Sequence, residues 1–123
     1  MDTIIIRELE HGVLLSLRSI IFRMNVKKVD HWVFRNIKLH SGSPFGLRIP
    51  EFEKKTQEEP LGFCVNQSEF LRFLETSPQI IDGEIEAFSA NNPAQRLFRL
   101  ECFDASQWEI VTDSADFNEQ LFK

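Results

Sequence analysis

The chain has no tyrosine, only two cysteines and no block of lysine or arginine. Without a basic cluster, the phosphate-neutralising footprint that nucleic-acid binding requires is missing, and the formal net charge of −5 points the same way. Cys64 and Cys102 are isolated in apolar, strand-like settings, a pattern of buried free thiols rather than a disulfide framework. No apolar stretch approaches the ~18–20 residues of a membrane span. The start, Met1-Asp2-Thr3-Ile4, lacks a basic region followed by a long apolar run, so no signal peptide is expected and the cytoplasm is the expected compartment.

The usual marks of chemistry are missing as well. His11, His31 and His40 have no metal-ligand spacing to one another or to the cysteines, and neither C-x-x-C nor H-E-x-x-H occurs. Ser41 and Ser43 lie near His40, but Gly42-Ser43-Pro44-Phe45-Gly46 is a turn cluster, not a G-x-S-x-G elbow. No G-x-G-x-x-G or Walker-type run is present, so nucleotide cradling has no support. No catalytic residue, metal ligand or cofactor is implied.

What is present is an ordinary globular composition, 42% hydrophobic and 27% charged, in 123 residues. That length suits one domain, 1–123, with a real core. Twelve phenylalanines carry most of the aromatic content and need no hydrogen-bond partner when buried. Trp32 and Trp108 are expected inside for the same reason of bulk.

The organising stretch is Arg96–Asp113. Two alternating runs, Leu97–Asp104 and Trp108–Thr112, flank a polar break at Ala105-Ser106-Gln107, the signature of an antiparallel hairpin. Upstream, Gln79–Ala90 reads as a strand, with a break at Asp82-Gly83. Placing Ile85 opposite Leu100 sets Ala87 against Phe98, Glu86 against Arg99 and Phe88 against Leu97, a register that matches apolar with apolar and charge with counter-charge.

The remaining elements rest on local pattern. Thr3–Glu8 reads as a strand. In Val13–Met24, the residues Val13, Leu14, Leu17, Ile20, Ile21 and Met24 trace one helical face, with Arg18 and Arg23 away from it; a hairpin turning at His11-Gly12 is the competing reading. His31–Leu39 reads as a strand with Trp32, Phe34 and Asn36 on one face, and Phe45–Ile49 as a short strand pairing back. Glu51–Pro60, charged and bounded by prolines, reads as a solvated loop. Leu61–Val65 leads into a helix at Gln67–Thr76. There Asn66 and Glu69 form a capping box, Val65 and Phe70 a hydrophobic staple, and Phe70, Leu71, Phe73 and Leu74 the apolar face. Ser114 is placed to cap a last helix over Ala115–Phe122, with Asp116 and Glu119 favouring its dipole.

Phe103-Asp104-Ala105-Ser106-Gln107-Trp108-Glu109-Ile110, with Thr112-Asp113 after it, resembles the closing hairpin of several small bacterial α+β families. Some are uncharacterised, and others are immunity proteins that neutralise polymorphic toxins. The element order is similar too: an early helix, a strand carrying Trp32, a middle helix, then the strand of Gln79–Ser89. The resemblance implies a fold outline and a non-enzymatic role, and transfers no functional residue.

The expected fold is α+β. An antiparallel sheet of about five or six strands carries the Val13–Met24 and Gln67–Thr76 helices on one face, with a short C-terminal helix. The opposite face is expected to be partly exposed and acidic. It would gather Glu84, Glu86, Phe88, Leu97, Arg99, Glu101 and Phe103, a mixture of carboxylates and apolar side chains that suits a basic protein partner. This favours an immunity-type inhibitor or adaptor. Two alternatives stand beside it. One is a small-molecule enzyme or carrier with His31, Asp104 or Asp113 projecting into an apolar pocket; the other is a homodimer through an edge strand.

Overall fold

The last strand pairs of the sequence set the frame of the sheet. In the computed structural model, which describes residues 2–10 and 12–112, the strands β1 (Asp2–Ile6), β4 (Val29–Ser41), β5 (Phe63–Asn66), β6 (Gln79–Ser89), β7 (Arg96–Phe103) and β8 (Gln107–Thr112) form one antiparallel sheet. Its order is β1-β8-β7-β6-β4-β5. A separate two-stranded hairpin, β2 (Leu9–Glu10) and β3 (Val13–Leu14), precedes the helix α1 (Leu17–Phe22). The helices α2 (Ile49–Glu58) and α3 (Gln67–Glu75) complete an α+β fold. The expected C-terminal helix and the His11 position lie outside the described residues.

One core joins the sheet to the helices. Trp32, Phe34, Ile85, Phe98, Leu100, Trp108 and Ile110 from the strands pack with Leu17, Ile20 and Ile21 of α1, Phe52 of α2, and Phe70 and Phe73 of α3. Phe70 stacks on Trp32 at 3.7 Å between ring centres. Phe34 meets Phe45, Phe52 and Phe73 edge-on, the geometry that aromatic quadrupoles prefer. Both tryptophans are buried with their N–H groups satisfied: Trp32 Nε1 donates to Gln67 Oε1 and Trp108 Nε1 to the Leu15 carbonyl, each at 2.7 Å. Gln67 in turn donates to the Val26 carbonyl.

Three segments depart from the sequence reading, each for a local reason. Val13–Leu14 belongs to the hairpin, because the side chain of Ser16 caps the helix by accepting from Ser19 N–H, so α1 starts at Leu17. Val13 is exposed, whereas Leu14, Leu17, Ile20, Ile21 and Met24 are buried as the seam requires. Glu51–Pro60 is not a loop: Pro50 sits in the first turn of α2, and Phe52 and Thr56, four residues apart, turn inward from an otherwise charged helix. Phe45–Ile49 is consequently not a strand: residues 45–48 turn into α2, which begins at Ile49.

The third departure is a bulge in β4. Asn36 takes φ +50°, and the pairing runs from Arg35↔Glu84 to Lys38↔Asp82, one extra residue on β4. Asn36 is exposed, while Ile37 and Leu39 turn into the core to which Trp32 and Phe34 already belong. Strand β6 stays continuous through Gly83 at φ +136°, where a Cβ would lie 2.5 Å from Ile37 Cδ1 and 2.8 Å from its Cα. Helix α3 obeys its sequence signals: Glu69 N–H donates to Asn66 Oδ1, and Asn66 N–H donates to Glu69 Oε1. Leu71 lies off its buried face.

Candidate functional site

The face of the sheet turned away from the buried helical side chains is ordered by cross-strand rows. One row runs Thr3, Val111, Arg99, Glu86, Val33, Cys64 across all six strands. The next runs Ile5, Glu109, Glu101, Glu84, Arg35. The expected register of Ile85, Glu86 and Ala87 against Leu100, Arg99 and Phe98 is the observed one. Past Ala87 it shifts, so Phe88 faces Arg96 and not Leu97. Leu97 is buried in the core instead of standing beside the carboxylates.

The seven candidate residues therefore divide. Glu86 is nearly enclosed, its side chain 12% exposed, between Arg35 Nε at 2.8 Å and Arg96 Nη1 at 3.3 Å. It is a saturated cross-strand clasp. Phe88 is half-buried and stacks on His31 with rings parallel at 4.9 Å; His31 Nδ1 also meets Asp30 Oδ2 at 3.0 Å. Phe103 is exposed, and so is Ile5 at the other end of the carboxylate row.

Glu109, Glu101 and Glu84 stand directly opposite one another on β8, β7 and β6, an arrangement in which like charges repel. Arg99 reaches toward two of them, Glu84 at 3.8 Å and Glu109 at 4.0 Å, too far for a hydrogen bond to either. Its Nε is buried without an acceptor. Glu101 has no ion pair among the described residues. Burial pushes the Glu101 carboxyl above the ordinary range, Arg99 pulls it back, and Glu84 and Glu109 raise it further. Four glutamates and three arginines share the face, so it is not uniformly acidic; the unneutralised charge is concentrated on this row.

His31 is in the stack with Phe88, Asp104 is exposed in the β7–β8 turn, and Asp113 lies outside the described residues. The buried polar residues among those described are Thr56, Ser89 and Thr112, none of them ionisable at neutral pH. No group of three or more potential metal-ligating side chains occurs among the described residues. Cys102 is buried, donates to the Ile80 carbonyl, and is pushed up to about 11 by burial. Cys64, expected inside, is exposed because β5 is the last strand of the sheet and the residue sits on its outer face. Its thiol is raised by partial burial and by Asp30 and Glu69, which leaves little thiolate.

Fold and surface together define an α+β protein with one helix-packed face and one charge-patterned face. No family model, curated protein or solved structure matches the chain. No helix among the described residues is long and apolar enough to cross a membrane.

Proposed function

We propose that the chain is a non-enzymatic binding protein, an immunity-type inhibitor or adaptor, that engages a basic protein partner through the Ile5–Glu109–Glu101–Glu84 row. The observation that carries the reading is the incomplete neutralisation of that row: three aligned carboxylates share one guanidinium that bonds none of them. An incoming lysine or arginine relieves the repulsion and gains charge-assisted hydrogen bonds. Exposed Ile5 and Phe103 supply apolar contact near the charges, the mixture from which interface centres and rims are built. Glu86 and Leu97 support the face from within and do not meet the partner.

The test uses the full chain as bait in its host extract, beside the variants Glu101→Arg, Phe103→Ala and, as a control away from the face, Lys54→Gln on α2. A single dominant partner with a basic surface is expected. It is captured by the wild type and the control, lost with Glu101→Arg, weakened with Phe103→Ala, and held less well as salt rises. Equal capture by all four chains removes this face as the site.

A further inference from the structure

A second feature lies on the helical side, apart from the outer face. Helix α3 and the turn at residues 43–46 border a cleft of about 330 Å³. The partly exposed Phe45 supplies its apolar wall, backed from within by the buried Phe73, with ring centres 4.8 Å apart and planes 32° apart. Arg72 and Ser43 line it as well, and neither the guanidinium nor the hydroxyl has a partner among the described residues. Glu69 also borders the cleft, yet its carboxylate accepts the Asn66 N–H in the capping box. Arg72, three residues on, makes no ion pair with it or with any other described residue.

The turn is held in place before any ligand arrives. Thr76 Oγ1 accepts the Ser43 N–H at 3.0 Å and donates to the Phe73 carbonyl at 2.7 Å, tying the turn to the end of α3. Phe45 takes φ +56°, a conformation costly for a bulky residue, and Gly46 after it takes +76°. Such backbone strain collects at ligand clamps, where the surrounding structure enforces it. Here it accompanies a ring packed against Phe34, Phe52, Phe63 and Phe73.

A planar guanidinium with no carboxylate of its own selects a planar, bidentate anion. An aromatic wall selects a flat apolar body, and the volume, at the small end of ligand pockets, limits that body to about one ring. We propose that this cleft binds a small aryl carboxylate, with the carboxylate on Arg72, the Ser43 hydroxyl as a second donor and the ring against Phe45.

Titration of ¹⁵N-labelled protein with phenylacetate, monitored by amide chemical shifts, tests the proposal. The expected shifts are saturable and confined to residues 43–46 and 69–76. They weaken about tenfold or more in Arg72→Gln and are absent with the neutral isostere phenylacetamide. No shifts at up to about 10 mM ligand, undiminished binding by Arg72→Gln, or equal response to phenylacetamide overturns the proposal. Equal response to inorganic phosphate overturns it too, since the site would then read charge without the ring. Arg72 is exposed on α3 and glutamine is a good helix former, so the variant keeps the fold.

Discussion

The backbone N–H of Ile37 donates to the hydroxyl of Thr56 at 3.0 Å, a strand amide satisfied by a helix side chain. Two residues on, Leu39 N–H donates to Glu53 Oε2 at 2.9 Å. Strand β5 pairs only with His31–Phe34, so the rest of that flank of β4 meets α2, whose side chains take the acceptor role of a neighbouring strand. Thr56→Val keeps the shape and removes the acceptor. It should cost about 1–3 kcal/mol, read from the urea midpoint, and should speed amide exchange at Ile37 more than at Val33.

Glu101 offers a test with the opposite sign. Its folded-state carboxyl is raised above the unfolded value, so the fold favours the protonated form. The charged form therefore weakens the fold as pH rises through its folded pKa. Glu101→Gln should raise stability at pH 7 by about 0.2–1 kcal/mol, the range of cross-strand charge effects. The advantage should shrink toward pH 4 as the carboxylate protonates. Urea unfolding at the two pH values checks this, and the same variant should bind the partner less well.

Glu86 should behave in the contrary way to its neighbours. Glu86→Gln leaves Arg35 and Arg96 without their shared carboxylate and should destabilise by about 1–3 kcal/mol. Glu84→Gln, on the looser contact to Arg99, should change stability by less than about 1 kcal/mol. Thermal melts of the pair separate structural from surface carboxylates on one strand.

Gly83→Ala should be the most damaging small substitution in β6. The added methyl meets Ile37 side chain and backbone below 3 Å, at a φ that L-residues rarely adopt. A loss of roughly 2–4 kcal/mol is expected, measured by chemical denaturation, with the largest shift changes at Asn36 and Ile37.

The parts of the fold governed by short-range signals are legible in the sequence. The Asn66–Glu69 capping box, the β7–β8 hairpin and the Ile85–Leu100 register depend on residues near one another or on simple alternation. Helix α2 is not legible, because its charge and flanking prolines mask two inward residues, and the bond that fixes Thr56 comes from a strand nineteen residues upstream. The bulges escape for a different reason. Alternation assumes a constant period, and the extra residue at Asn36, like the shift after Ala87, breaks it at one point and inverts the facing of the residues beyond. Strict alternation therefore points Asn36 inward and Leu97 outward, each the reverse of the observed side. The carboxylates of the candidate face are visible as a set, but only the pairing shows that Glu86 is spent and Glu101 is not.

The bulwark that α2 makes along β4 also bears on how the chain behaves in a crowd. A stray strand arriving at that flank finds four residues of β5 and then a helix already bonded to the backbone beyond. Stacking of copies edge upon edge into a growing fibril has too short a foothold there to propagate.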